Sequence, residues 1–332
     1  MTDFAAIFSR LPLLEAGNSA VERVFSVEGI PRSRNQYVGR SAEGRPVFLV
    51  EAHTVGRAPI ILQNLRVIFG TQCALSLAGQ SQSVIAVVVE CLSDIPELQS
   101  YFLSTAGNAL ESLGDEVSPD ELVTAVDALV SLFQKLSRPP RRHAQGLFGE
   151  LFVIEQSSDA AAFVQSWHND TMERFDFAID DVRLEVKTTA ARMRRHEFSL
   201  EQCLPPPGTS GLLVSLFVET SGGGVSVREL MERVEARIAN RPELVVKLYA
   251  EVADTLGAGL REGLDERFDE QLTQGSLAIY DLAAIPAIRV ELPNEISRVR
   301  FISDISGVEP IDIAELRDRF PQLGRHAAAL VD

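Results

Sequence analysis

The densest group of chemically competent side chains lies in the run Arg174-Phe175-Asp176-Phe177-Ala178-Ile179-Asp180-Asp181-Val182-Arg183-Leu184-Glu185-Val186-Lys187. Apolar and polar residues alternate on both sides of Asp180-Asp181, the pattern of two strands joined by a two-residue turn. Such a turn pairs Ile179 with Val182, Phe177 with Leu184 and Phe175 with Val186, and gives one wholly apolar face. On the other face it sets Asp176 across from Glu185 and Arg174 across from Lys187. Two facing carboxylates about 5 Å apart repel each other, and a divalent cation between them removes that penalty. Mg²⁺ takes oxygen ligands, commonly one or two carboxylates with water and substrate phosphate. The backbone carbonyl of Val186 adds a further oxygen, so Asp176, Glu185 and Val186 are the expected metal ligands. An ion held there polarises a phosphodiester and lowers the pKa of a bound water. Lys187 orients that water or stabilises charge developing on the phosphate.

A bare Glu-x-Lys carries little weight, because half-exposed hairpins often present acid and base to solvent. The matching register of Asp176 and the neighbours of the hairpin add the weight. In Gly146-Leu147-Phe148-Gly149-Glu150-Leu151-Phe152-Val153-Ile154-Glu155, Glu150 follows Leu147 by three residues and precedes Ile154 by four. It therefore lies on an inward apolar stripe of a helix. An acid there needs a metal, a lysine or a hydrogen-bond donor; the alternative is a surface glutamate shielded by packing. Beyond the hairpin, Thr188 is placed to contact phosphate, although β-branched residues also simply end strands. His196 and Ser199 begin the next strand or turn, and Gln202 reaches back to the site from a following helix. Trp167 reads as core rather than as a base-stacking platform. Two basic clusters flank the motif, Arg138, Arg141, Arg142 with His143, and Arg192, Arg194, Arg195 with His196. Arg142 and Arg194 are the expected phosphate contacts, against the alternative that both clusters are solvated faces.

These side chains need a scaffold. The chain to about residue 93 reads mainly as strands. Tyr37 to Arg40 and Pro46 to Glu51 flank a turn at Glu43-Gly44, and Ile60 to Phe69 and Val84 to Cys91 are apolar, β-branched runs. Helical spacing follows over Ile95 to Leu113 and Leu122 to Leu136, the second behind the cap Ser118-Pro119-Asp120-Glu121. Arg138-Pro139-Pro140-Arg141 breaks the chain and sets a domain boundary after residue 137, leaving 1–137 β-rich then helical and 138–332 carrying the motif. The second part reads as a helix over Ala144 to Gln156, the hairpin, and a buried strand over Gly211 to Glu219 ended by Gly222-Gly223-Gly224. Helices follow over Ser226 to Ile238 and Leu244 to Leu256, then short strands over Leu277 to Leu282 and Val299 to Ile302, and a last helix over Ile311 to Phe320.

The spaced set Gly-Leu-x-Gly-Glu-Leu around Glu150, Trp167, Asp176-Phe177, Glu185-Val186-Lys187-Thr188-Thr189, His196 and Gln202 resembles the PD-(D/E)XK phosphodiesterase superfamily. Within it, the set is similar to a bacterial group of PD-(D/E)XK motif proteins, at the level of motifs over about residues 144–204 and more loosely in layout over the full length. The proline that names the motif is Phe175 here, at a position that varies widely in the superfamily. The resemblance implies an α/β (α+β) fold, a restriction-endonuclease-like mixed sheet flanked by helices in the order αβββαβ, with the β-rich domain before it. It implies catalytic Asp176, Glu185, Lys187 and Glu150, a Mg²⁺ cofactor that Mn²⁺ can replace, and a DNA substrate. It also implies restriction or phage defence beside a helicase-like ATPase or a methyltransferase, and a possible homodimer, although no sequence feature marks an isologous interface.

Composition bounds these readings. The 332 residues are 45% hydrophobic and 23% charged, as in an ordinary globular protein of one large or two smaller domains. No run of about 18 apolar residues predicts a membrane span, and Met1 to Arg10 lacks the order of a signal peptide. Cys73, Cys91 and Cys203 are odd in number and far apart, which fits free thiols in a reducing cytoplasm. There is no phosphate-binding glycine loop and no Gly-x-Ser-x-Gly elbow, and the five histidines show no zinc-ligand spacing. The net charge of −16 opposes non-specific DNA binding unless basic residues are concentrated locally. With the sizeable N-terminal part it favours the competing reading, a non-cleaving nucleic-acid-binding or assembly subunit; a third reading is a partner protein whose hairpin carboxylates are incidental.

Overall fold

A computed structural model describes residues 2–13, 23–31, 33–52, 57–77, 79–115, 117–136, 143–168, 174–289 and 298–320. The chain groups into two compact units, Met1–Pro140 with Ala239–Arg261, and Arg141–Ile238 with Glu262–Asp332. The sequence boundary places 239–261 in the second part, whereas the structure groups that segment with the first unit.

The first unit opens with helix α1 (Phe4–Arg10), capped by the Asp3 side chain accepting from the Ala6 amide. Strands β1 (Arg23–Gly29), β2 (Gln36–Arg40), β3 (Pro46–Glu51), β4 (Ile60–Ile61), β5 (Leu65–Leu77) and β6 (Gln80–Cys91) follow. They run in the order β1-β2-β3-β6-β5-β4, and β1 also pairs in parallel with β5, so five strands close on themselves with β4 at the rim. Alternate residues such as Phe25, Val27, Val47, Leu49, Val84 and Ala86 point inward and form one core. The run expected as one strand over Ile60 to Phe69 is two. Gln63-Asn64 turn the chain, the Leu62 amide donates to the Leu65 carbonyl at 2.8 Å, and β4 folds back antiparallel on β5. Helices α2 (Pro96–Glu111) and α3 (Pro119–Lys135) complete the first pass, and the anticipated cap of α3 is a capping box between Ser118 and Glu121.

The second unit begins with α4 (Ala144–Gln156) and α5 (Ala160–Ser166), then β7 (Phe177–Ile179), β8 (Val182–Thr189), β9 (Arg195–Ser199), a single 3₁₀ turn at Glu201–Cys203, β10 (Ser210–Phe217), β11 (Thr220–Ser226) and α6 (Val227–Ile238). Helix α7 (Pro242–Leu256) belongs to the first unit, where its Tyr249 carbonyl accepts the Tyr101 hydroxyl at 2.6 Å. Among the described residues there follow α8 (Leu260–Asp265), β12 (Arg267–Phe268), α9 (Glu270–Ser276), β13 (Ala278–Asp281), β14 (Arg300–Asp304) and α10 (Ile313–Arg319). A mixed sheet in the order β13-β10-β8-β7 is the scaffold of the site, with β8 and β10 parallel and the two outer pairings antiparallel. The chain is thus an α/β protein with a restriction-endonuclease-like sheet flanked by helices and a β-rich N-terminal region.

Two details of the expected layout are corrected. The third strand, β9, leaves the sheet to pair with β14, and the crossover into β10 holds one 3₁₀ turn in place of an α-helix. Gly222-Gly223-Gly224 do not end a strand but lie inside β11, where a Cβ on Gly224 would stand 2.0 Å from the Phe268 carbonyl oxygen. Among the described residues no helix is long and apolar enough to cross a membrane.

The docking of α4 on the sheet depends on a glycine. A Cβ on Gly149 would lie 2.3 Å from the Thr188 methyl, with Leu216 and Val186 just behind it. Gly149→Ala is expected to cost about 1–3 kcal/mol by overpacking. Thr188→Ser, which removes that methyl, should restore most of the loss in the double variant. Urea unfolding of the three variants checks this, and strict additivity would refute the contact.

Candidate active site

The hairpin forms as its turn chemistry dictates. Asp180 takes φ +49°, which aspartate tolerates better than most residues, and Phe177–Leu184 and Ile179–Val182 pair. The ladder stops there. Phe175 and Asp176 lie in a bend before β7, and Phe175 does not face Val186 as alternation predicts. It packs instead with Phe198, Cys203, Leu213 and Tyr280. Leu213 is the register partner of Glu185, so Phe175 lies on the Glu185 face of the sheet. The cause is Asp176. Its Oδ2 accepts the Val186 amide at 2.8 Å, taking the place of the backbone carbonyl that a longer β7 would supply. Asp176 is thereby held at the sheet edge rather than squarely across from Glu185.

That position brings it to α4. Glu150 is 4% exposed, as is Asp176. Trp167, which ends α5 and bridges to Phe177, is fully buried in the core and also donates its indole N–H to Glu150 Oε2 at 2.7 Å. The next residue, His168, adopts φ +48°, and its amide donates to the Asp176 carbonyl at 2.8 Å. Its Nε2 stands 3.2 Å from Glu150 Oε2 and 3.7 Å from Asp176 Oδ1. Glu150, His168 and Asp176 each offer a ligand atom within 4.8 Å of the others, a set suited to a divalent cation. Spacing alone could not flag His168, because the Trp167–Phe177 bridge, not sequence distance, sets it beside Asp176.

Glu185 and Lys187 form the adjoining group on β8. Glu185 is buried, and its Oε1 accepts from Lys187 Nζ at 2.7 Å and from Gln202 Nε2 at 2.6 Å. Gln202 Oε1 in turn accepts the Ser199 amide at 3.0 Å and lies 3.4 Å from Lys187 Nζ. Gln202, expected to touch substrate from a helix, stands on the 3₁₀ turn and bonds both motif side chains. Lys187 Nζ lies 5.5 Å from the Phe198 ring centre, an apolar wall for the ammonium.

The remaining expected contacts sit differently. Thr188 lies on the opposite face from Glu185, its methyl under α4 at Gly149. Arg194, expected to reach phosphate, is engaged within the fold. It donates to the Ser215 carbonyl and hydroxyl at 2.8 and 2.7 Å and to the Ser276 carbonyl, and stacks over Phe217 and Tyr280. Arg192 is paired with Glu219, and Arg195 lies 3.9 Å from Asp304. Arg142, with Arg138 and Arg141, lies outside the described residues. His196 is buried with its Nε2 2.8 Å from the Ser215 hydroxyl. Burial, with Lys187 and Arg194 nearby, lowers its pKa from 6.5 to about 4, so it is neutral at physiological pH. Burial pushes the Cys203 thiol up to about 11, which leaves no thiolate for nucleophilic chemistry.

The arrangement joins a carboxylate–imidazole cluster to a carboxylate–ammonium pair through the Asp176–Val186 bond, and proteins of the PD-(D/E)XK type generally work with divalent metals. No curated protein and no solved structure matches the chain. The profile of a family described as "Putative PD-(D/E)XK family member, (DUF4420)" matches residues 17–306, and the chain belongs to that family.

Proposed function

We propose that this chain is a Mg²⁺-dependent phosphodiesterase that cuts DNA internally, in restriction or phage defence. One observation supports the reading: α4, the residue following Trp167 and the bend before β7 bring ligand atoms of Glu150, His168 and Asp176 within 4.8 Å of one another, and Asp176 is bonded to β8 at Val186, between Glu185 and Lys187. The oxygen donors Asp176, Glu185 and the Val186 carbonyl suit Mg²⁺, and Mn²⁺ replaces it. A bound ion would polarise the phosphodiester and make a hydroxide available from water at neutral pH. Asp176, fixed by the Val186 amide, and Glu185, fixed by Gln202 and Lys187, would hold it. Lys187 supplies positive charge beside the attacking water and the phosphate. A helicase-like ATPase or a methyltransferase is the proposed companion in the cell, and a homodimer the proposed form for cutting both strands.

The test is incubation of supercoiled plasmid and linear DNA with Mg²⁺, Mn²⁺ or excess chelator. Nicked and linear products should appear with either metal and vanish with chelator. Folded protein that cuts neither DNA nor RNA with any divalent ion overturns the reading. A second reading, a non-cleaving assembly subunit, has its own support. The net charge is −16, and Arg192, Arg194 and Arg195 are engaged by acids or backbone within the chain. It predicts that DNA affinity appears only when a basic partner is added.

A further inference from the structure

Mg²⁺ sites are built from oxygen, and a histidine is out of place in one. Imidazole instead favours the later divalent ions, whose affinities for nitrogen ligands rise from manganese towards copper, with zinc also strong. Two atoms that each lie about 2.1 Å from one ion, at angles near 90–110°, stand roughly 3.0–3.4 Å apart. The separation of His168 Nε2 from Glu150 Oε2 is 3.2 Å, and from Asp176 Oδ1 it is 3.7 Å. Each donor is held in place: Glu150 through the same Oε2 that faces His168, Asp176 through the oxygen that does not. Glu150 is steadied by the Trp167 indole and Asp176 by the Val186 amide through its other oxygen. The His168 backbone is tied to the Asp176 carbonyl.

We propose that Glu150, His168 and Asp176 form an ion position selective for a divalent transition metal of the manganese-to-zinc series over Mg²⁺, with the His168 imidazole as the selecting ligand. The inference deepens the nuclease reading, since Asp176 also belongs to the proposed Mg²⁺ position, but its test needs no cleavage.

The test titrates the full chain, without nucleic acid, with Co²⁺ and separately with Mg²⁺ by calorimetry. Two variants are compared with the native chain, His168→Asn and His168→Asp. Both residues tolerate the φ of +48° at this position, so the backbone is preserved. Co²⁺ binds most ligand sets more tightly than Mg²⁺, so the deciding quantity is the change on substitution. His168→Asn should weaken Co²⁺ by about tenfold or more while Mg²⁺ stays within about twofold. His168→Asp, an all-oxygen set, should also lose Co²⁺ affinity while gaining Mg²⁺ affinity. The native chain decides independently of any variant, because bound Mn²⁺ must show the pulsed-EPR modulation of a coordinated imidazole nitrogen. Absence of that modulation, or equal losses for both metals on substitution, overturns the proposal and leaves the nuclease reading standing. Selective binding with no cleavage would do the reverse.

Discussion

Lys187→Met is expected to reduce DNA cleavage by roughly 10²–10³-fold, the usual effect of removing one group that stabilises transition-state charge. Methionine keeps the length and most of the apolar stem against Phe198 while deleting the ammonium, so the loss reads charge rather than packing. Glu185 keeps its bond from Gln202 in the variant, which limits the disturbance to one side of the carboxylate. Metal binding by Asp176 should survive, because Asp176 is held by the Val186 amide and not by the lysine. Asp176→Ala is expected to abolish cleavage to a similar or greater extent and to weaken metal binding with it. The two variants therefore separate roles. Lys187→Met should retain the rise in melting temperature on adding metal, and Asp176→Ala should lose most of it. Single-turnover cleavage and thermal melting with and without Mn²⁺ decide the matter. Full cleavage by Lys187→Met would remove the lysine from the chemistry, and an unchanged metal shift in Asp176→Ala would remove the aspartate from the ion site.

What the sequence discloses of this site is what local rules control. The turn at Asp180-Asp181, the limits of α4 and the inward stripe carrying Glu150 follow from turn chemistry and a 3.6-residue period, and the structure has them at those positions. The faces of the hairpin are legible only while the ladder continues. At Asp176 a side-chain oxygen accepts the amide that a backbone carbonyl would otherwise take, the chain bends, and Phe175 turns to the other face. No periodicity contains that event, because it depends on a carboxylate competing with its own backbone. His168 and Arg194 illustrate the second barrier. The first gains its meaning from a bridge between Trp167 and Phe177, and the second from serines at positions 215 and 276. A run of arginines reads as a basic patch only while their partners are unknown. The departure of β9 from the sheet is of the same kind, since its partner β14 begins more than a hundred residues after it and β9 alone looks like any alternating strand.

His196 carries the second large expectation, a loss of stability on acidification. Its folded pKa is about 4 against an ordinary value of 6.5, because burial, Lys187 and Arg194 disfavour the imidazolium. A group whose neutral form is the one buried binds its proton more readily when unfolded. As pH falls through 6.5 the unfolded chain gains a proton that the native chain refuses until about pH 4, so stability declines across that window and then levels off. The span of roughly 2.5 pH units corresponds to about 3 kcal/mol, with a slope that approaches about 1.4 kcal/mol per pH unit in its middle. Carboxylates titrate near the lower end of the same window, so the quantity to measure is a difference between proteins. His196→Gln keeps an acceptor for the Ser215 hydroxyl but cannot titrate, and it carries its own constant cost at neutral pH. Urea midpoints taken from pH 7 to pH 4 should therefore converge, with the variant losing less stability per pH unit than the native chain. Parallel curves would mean that His196 takes up its proton in the native chain at the same pH as in the unfolded one. In that case the imidazole would have to be more open to water, and Lys187 and Arg194 farther from it, than the folded arrangement places them.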